Sequence, residues 1–257
     1  MGAGGIGAVI MAAPIFVFAD LDDSLFQTRR KCPQHSDLVA ALVTAAVDRQ
    51  GNPLSYTTPQ QRALLELLAR AVIIPVTGRN TAALERVHMV FPSYRVTSHG
   101  ALVMTADGCP DAGWLARIEA QHQEWTAHLQ TALTWVERAR TVAGLALRCR
   151  IIEDHGMPVY ISVKGEEAAL ARLSTDIQEA WGGEGAQVHR NGENMALLPP
   201  FARKEEAVAF VMQQLQETES QLLFIGIGDS ATDLPFMRLC HYALIPQKSQ
   251  IRETLWT

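Results

Sequence analysis

The 257-residue chain is short of the features that would tie it to a membrane, a disulfide framework or nucleic acid. Charged residues make up 19% of it and the net charge is −5, so no basic excess draws it to a polyanion or an anionic bilayer. Cysteine is scarce: Cys32, Cys109, Cys149 and Cys240 are far apart and form no C-x-x-C pair. That spacing reads as small apolar side chains in a reducing, cytoplasmic setting, with neither crosslinks nor zinc. No Lys or Arg precedes the apolar, Gly/Ala-rich residues 1–19, so a signal peptide lacks its basic start, and Pro14 interrupts any spanning helix. Gly2, Gly4 and Gly7 match G-x-G-x-x-G, but they precede the first strand, where a dinucleotide fingerprint must follow one. Residues 1–12 therefore read as a disordered leader or tag, or as translation from a start upstream of Met11. Internal repeats are lacking too. What is present is a 48% apolar content, enough for a core domain and an inserted module.

The pattern along the chain is strand–helix alternation with one interruption. Ile15–Ala19 (IFVFA) is an apolar run of the kind that forms a buried parallel strand, and it ends in Asp20-Leu21-Asp22-Asp23-Ser24. Residues 33–50 predict a helix stopped by Gly51-Asn52-Pro53, and Thr58-Pro59 opens a second one. A strand over 71–76 ends at Thr77-Gly78-Arg79; helix 81–91 and strands 94–98 and 101–104 follow. From residue 106 the order becomes αββαββ: a helix over 112–140, strands at 145–152 and 158–163, a helix at 166–181, and strands near 186–190 and 195–198. Alternation then returns with helix 203–217, strand 222–227, a helix from Asp233 and strand 242–245. The predicted fold class is α/β: a doubly wound parallel-sheet core (13–105 and 199–257) with an inserted α+β cap (106–198).

Two strand ends finish in acidic clusters, Asp20/Asp22/Asp23 and Asp229/Asp233. Open α/β sheets bind ligands beyond the carboxyl ends of their strands, so neighbouring strands would bring these carboxylates to one spot. So many like charges need a counter-charge, and oxygen-only donors with few carboxylates suit Mg²⁺. Such a cation would in turn attract a phosphate.

The residues Asp20-Leu21-Asp22-Asp23-Ser24-Leu25 resemble the first motif of the haloacid-dehalogenase (HAD) superfamily, D-x-D-x-[TS]-L. Thr77-Gly78-Arg79 after an apolar strand resembles the second, Lys204-Glu-Glu-Ala-Val at a helix start the third, and Gly228-Asp229-Ser230-Ala-Thr-Asp233 the fourth. The resemblance implies a Mg²⁺-dependent phosphohydrolase working through an aspartyl-phosphate, with a small phosphorylated metabolite as its partner. It implies Asp20 as nucleophile and Asp22 as acid and then base. Thr77, Gly78 and Lys204 would bind the phosphoryl group, and Asp20, Asp22 (through its carbonyl), Asp229 and Asp233 would bind the metal. Asp23, Ser24 and Glu205 depart from the usual residues without removing a functional group. Residues 27–53 are longer than the usual link, and their Arg29, Arg30 and Lys31 read as a solvated basic loop or as a contribution to substrate access.

The αββαββ segment resembles the large cap of the branch that includes sucrose-phosphate and mannosyl-phosphoglycerate phosphatases. That branch points to a sugar phosphate or sugar-acid phosphate. Alternation puts Leu145, Leu147, Cys149 and Ile151 on one sheet face and Arg148 and Arg150 on the other, with Tyr160, Ser162 and Lys164 opposite Val159, Ile161 and Val163. The cationic face is either a solvated surface or one that closes over the site and reads a second anionic part of the substrate, joined by His189, Arg190 and Asn194. Two other functions use the same residues: a phosphomutase with the same Asp pair, and a catalytically silent metabolite-binding protein. The intact set Asp20, Asp22, Thr77, Lys204 and Asp229 favours an enzyme. A monomer or a homodimer is expected.

Overall fold

The apolar run Ile15–Ala19 forms β1, and its residues Val17, Phe18 and Ala19 are completely buried, as expected of a strand covered on both faces. The computed structural model describes residues 13–181 and 185–255, so the leader at 1–12 and its glycine pattern lie outside the described residues. The chain continues through β2 (Gln27–Thr28), α1 (Ser36–Ala40), β3 (Val43–Val47) and β4 (Pro53–Thr57) to α2 (Pro59–Leu67). Thr58 caps α2 in a capping box with Gln61, and Pro59 takes the first turn, where its missing N–H is harmless. Then come β5 (Val72–Pro75), α3 (Thr81–Leu84), β6 (Arg95–Thr97) and β7 (Leu102–Met104).

The interruption is α4 (Ala112–Val142), β8 (Arg148–Asp154), β9 (Met157–Lys164), α5 (Glu167–Ala180), β10 (Gln187–Asn191) and β11 (Asn194–Leu198). The return runs through α6 (Lys204–Thr218), β12 (Leu223–Ile227), α7 (Leu234–Met237), β13 (Tyr242–Leu244) and α8 (Gln250–Leu255).

The core sheet has the order β13-β12-β1-β5, all parallel. Leu64, Leu65, Leu68, Leu84 and Val87 cover one face against Val17, Ala19 and Ile227. Ala207, Val208 and Val211 of α6, with Trp114 of α4, cover the other against Phe18, Ile74 and Phe224. The cap forms its own antiparallel sheet, order β10-β11-β9-β8. Leu147, Ile161, Val163, Met195 and Leu197 face Leu129 and Val136 of α4 and Leu170, Leu173 and Ile177 of α5.

Two expected helices differ from the structure, and one event explains both. Residues 33–50 form only the short α1 and then β3, which pairs with β4 and, through it, β2 in a three-stranded antiparallel sheet. The helix expected over 81–91 stops after Leu84, because residues 86–88 pair with β3. There Val47 N–H donates to Arg86 O (3.1 Å) and His88 N–H to Ala45 O (2.7 Å). Among the described residues no helix is long and apolar enough to cross a membrane.

Candidate active site

Strand register brings the motifs together. Ala19 is level with Ile227 on one side and Pro75 on the other, so Asp20, Asp229 and Thr77 leave the sheet at the same edge. Asp20 N–H donates to Ile227 O (2.8 Å), which fixes the first acidic residue beside the second cluster. Lys204, the first residue of α6, is buried and its Nζ donates to Asp20 Oδ1 and Asp233 Oδ1, both at 2.7 Å. Asp233 Oδ2 accepts from Ser230 Oγ (2.7 Å), Ser230 N (2.9 Å) and Asp229 N (3.2 Å), which folds the G-D-x-x-x-D loop onto itself.

One oxygen from each of Asp20, Asp229 and Asp233 can be chosen so that all lie within 4.8 Å of one another. Burial and the repulsion of Asp233 and Asp23 push Asp229 up to about 7. Burial also lifts Asp20 well above the ordinary value; Lys204 opposes that rise, while Asp233 and Asp229 add to it. Burial works the same way on Asp233, but Lys204 and the Ser230 hydrogen bonds outweigh it and hold that carboxyl down. Burial opposes the charge on Lys204, yet Asp20 and Asp233 keep it protonated, above its ordinary value. One ammonium among three buried carboxylates leaves the cluster short of positive charge. An oxygen-only donor set in that condition fits a hard divalent cation.

Thr77 is buried at the end of β5, and its Oγ1 accepts from Arg79 N–H (3.1 Å). Arg79 turns back to grip Asp22 through Nε and Nη2, one bond to each carboxylate oxygen, both at 2.7 Å. This planar two-point grip fixes the orientation of Asp22. The Arg79 guanidinium lies 5.1 Å from the Phe26 ring centroid and 3.5 Å from Ser55 Oγ, so β4, which follows the long 27–53 segment, helps to seat it. Gly78 is pressed by the imidazole of His99, a half-buried residue in the left-handed region (φ 59°). Burial, reinforced by His189 and Lys204, keeps His99 neutral, well below its ordinary value.

The cap is seated on this edge. Tyr160 donates its hydroxyl to Gly78 O (3.0 Å) and meets the His99 ring edge-on at 5.0 Å. His189 Nδ1 lies 3.2 Å from Thr232 Oγ1, and Asn191 Nδ2 donates to Asp23 Oδ2 (3.2 Å). Lys31 pairs with Asp23, and Arg30 with Glu193 of the cap. Arg148, Arg150, Tyr160 and Lys164 share the face turned to the site: Arg148 is level with Lys164, Arg150 with Ser162 and Ile152 with Tyr160. Arg190 does not share it. It is level with Met195, whose side chain is buried in the cap core, and the Arg190 side chain is exposed. His189, one position earlier, takes the place on the facing side.

Sequence reasoning overlooked two partners. Arg79 was visible only as the last letter of T-G-R. Asp154, at the end of β8, is buried and accepts from Ser98 Oγ (2.7 Å), Thr81 N (3.0 Å) and Thr97 Oγ1 (3.2 Å), which clamps the cap to the core. Its only sequence signal was a position before the His155-Gly156 turn, where an acidic residue is commonplace.

A parallel core closed by an inserted cap over aspartates, T-G-R and a helix-opening lysine is the plan of a capped phosphatase of the HAD superfamily. The same fold is found in a Thermoplasma acidophilum protein, with 11% identity over 95% of this chain and 89% of that one and a TM-score of 0.55. It is found again in the C-terminal domain of trehalose-6-phosphate phosphatase from C. albicans, with 13% identity over 88% and 73% and a TM-score of 0.57. A sucrose-phosphatase from Synechocystis sp. PCC6803, solved with sucrose and phosphate, shares 19% identity over 96% and 87% at a TM-score of 0.49. No curated protein matches the chain. The chain belongs to the sucrose-6F-phosphate phosphohydrolase family, whose model matches residues 57–250.

Proposed function

We propose that this phosphatase is Mg²⁺-dependent and hydrolyses a small phosphate monoester, a sugar phosphate or sugar-acid phosphate, through an aspartyl-phosphate on Asp20. The observation that carries the reading is the placement of Asp20: just past the end of β1, which lies between the strands that lead to the T-G-R and G-D-x-x-x-D motifs, with its Oδ1 on Lys204 at 2.7 Å. One carboxylate oxygen of Asp20 attacks phosphorus and the P–O bond to the leaving alcohol breaks, while Asp22 gives its proton to that alkoxide. Asp22 then takes a proton from the water that attacks the aspartyl-phosphate, releasing inorganic phosphate and restoring Asp20. The Thr77 hydroxyl, the main chain at Gly78 and Lys204 hold the phosphoryl oxygens. Arg79, which holds both Asp22 oxygens, aims the ionised carboxylate for the second step; in the first step one Asp22 oxygen leaves that grip to carry its proton to the alkoxide. Asp20, Asp229 and Asp233, with the Asp22 carbonyl, would hold Mg²⁺, which neutralises charge on the transferring group.

Phosphate release from a panel of phosphorylated sugars and sugar acids, with and without Mg²⁺, tests the reading. Turnover should require Mg²⁺, and Asp20→Asn should lower kcat by about 10³-fold or more, since it removes the nucleophile. Turnover retained in Asp20→Asn would remove the covalent route.

A further inference from the structure

The cap face that carries Tyr160 is organised in cross-strand rows. Arg148, Lys164, Asn194 and Asn191 are level in one row, and Arg150, Ser162, Ala196 and His189 in the next. The β10 ends of both rows rest on the core through Asn191–Asp23 and His189–Thr232. At the other ends three cations meet without a carboxylate. Among the described residues, no ion pair or side-chain hydrogen bond engages Arg148, Arg150 or Lys164. Burial, together with the charges of Arg150 and Arg148, holds the Lys164 ammonium below its ordinary value, with Asp22 acting against that fall. Asp22, the core carboxylate that Lys164 senses, is already taken by Arg79 at both oxygens.

All three side chains are exposed, so water solvates them. Their like charges still repel on a face that Tyr160 ties to the T-G-R loop, and an anionic ligand would relieve that repulsion. The direction of β9 gives the geometry. Tyr160 touches Gly78 in the T-G-R loop, and Ser162 and Lys164 continue the same face outward, roughly 13 Å over four residues. A phosphate monoester seated at Thr77 would extend its alcohol along that line toward the two guanidiniums. Arginines at alternate positions of one strand offer forked donors suited to carboxylate or phosphate.

We propose that Arg148, Arg150 and Lys164 form a second anion site for the leaving group, so that the natural substrate is a phosphate monoester whose alcohol carries a further carboxylate or phosphate. The proposal rests on the phosphatase reading and narrows its substrate.

The test measures kcat/KM of the full chain with Mg²⁺ on matched esters: glucose 6-phosphate against 6-phosphogluconate, and glucose 6-phosphate against glucose 1,6-bisphosphate, with p-nitrophenyl phosphate as reference. The doubly anionic member should be preferred about 10-fold or more, as charge-assisted hydrogen bonds allow. A preference for the gluconate alone assigns a carboxylate, for the bisphosphate alone a phosphate, and for both a general anion site. Arg150→Gln and Lys164→Gln should each reduce that preference about 10-fold, mainly through KM, while Arg190→Gln on the opposite face keeps the wild-type ratio. Equal kcat/KM for both members of each pair, or a ratio untouched in both variants, overturns the second anion site and leaves Asp20-dependent cleavage of p-nitrophenyl phosphate intact. Absence of Asp20-dependent turnover on every ester overturns the phosphatase reading and the site with it.

Discussion

Gly78 shows how tightly single side chains are specified at this site. A Cβ added there would stand 2.5 Å from both Cε1 and Nε2 of His99. The imidazole has little freedom to yield, because Tyr160 lies edge-on at 5.0 Å and His189 at 5.6 Å. Glycine is thus required here by the approach of a neighbouring ring. Gly78→Ala should destabilise the protein by about 1–3 kcal/mol, the usual range for overpacking, and should lower kcat by disturbing Thr77 and Arg79 on either side. Urea denaturation with a double-mutant cycle checks it: adding His99→Ala should restore much of the lost stability. If Gly78→Ala is neutral, or if His99→Ala fails to rescue it, the His99 ring does not enforce glycine at position 78. The sequence hinted at Gly78 through the T-G-R motif, but the ring that enforces it comes from a turn 21 residues later.

Between elements, the attachment of cap to core rests on Asp154 more than on the exposed charge pairs. Arg30–Glu193 is more than half exposed on both sides, and pairs of that kind contribute little. Asp154 is 4% exposed and satisfies the hydroxyls of Thr97 and Ser98, both fully buried. Asp154→Ala would leave those donors without their acceptor and should lower stability by about 2–4 kcal/mol, with a KM increase as the cap loses its seat. Thermal unfolding and steady-state kinetics on the same variant check it, and an unchanged melting temperature would rule the clamp out. Asp154→Asn keeps one acceptor oxygen and should fall between the two.

The elements themselves were unevenly legible in the sequence. Core strands and the αββαββ cap could be read because local apolar runs and 2.0 or 3.6 periodicity encode them. The β2–β4–β3 sheet could not. Val43-Thr44-Ala45-Ala46-Val47 has alanines compatible with a helix, and its strand state depends on partners at Ser55, Tyr56 and Thr57 and at residues 86–88. The same non-local pairing cut short the helix after Leu84. The acidic and T-G-R motifs were legible because chemistry demands those residue types in order. Arg79 and Asp154 were not, because their roles lie in contacts across 56 positions or more. Arg190 failed for a simpler reason: the facing parity of β10 belongs to His189, and parity is set by register.

At the scale of the whole molecule, the acidic cluster makes stability depend on both pH and metal. Burial and neighbouring carboxylates push Asp229 up to about 7 from 3.8. A carboxyl with a higher pKa folded than unfolded binds its proton more tightly in the folded state, so stability falls as pH rises from 3.8 toward 7. Below that window the penalty is absent; above it the penalty is complete, at roughly 4 kcal/mol as an upper bound. Asp229→Asn removes the ionisation and should therefore be more stable than wild type at pH 7.5 without divalent cations, with the gap shrinking as the pH falls to 4. Mg²⁺ would reverse the order, because a ligand that binds only the folded state stabilises it in proportion to ln(1 + [L]/Kd), and the variant has lost one of the carboxylates that hold the cation. Melting temperatures of both proteins, taken across pH with EDTA and with 5 mM Mg²⁺, give the four curves needed. If wild type is the more stable in EDTA at pH 7.5, Asp229 does not carry this penalty. If Mg²⁺ raises both melting temperatures equally, the cation is held elsewhere.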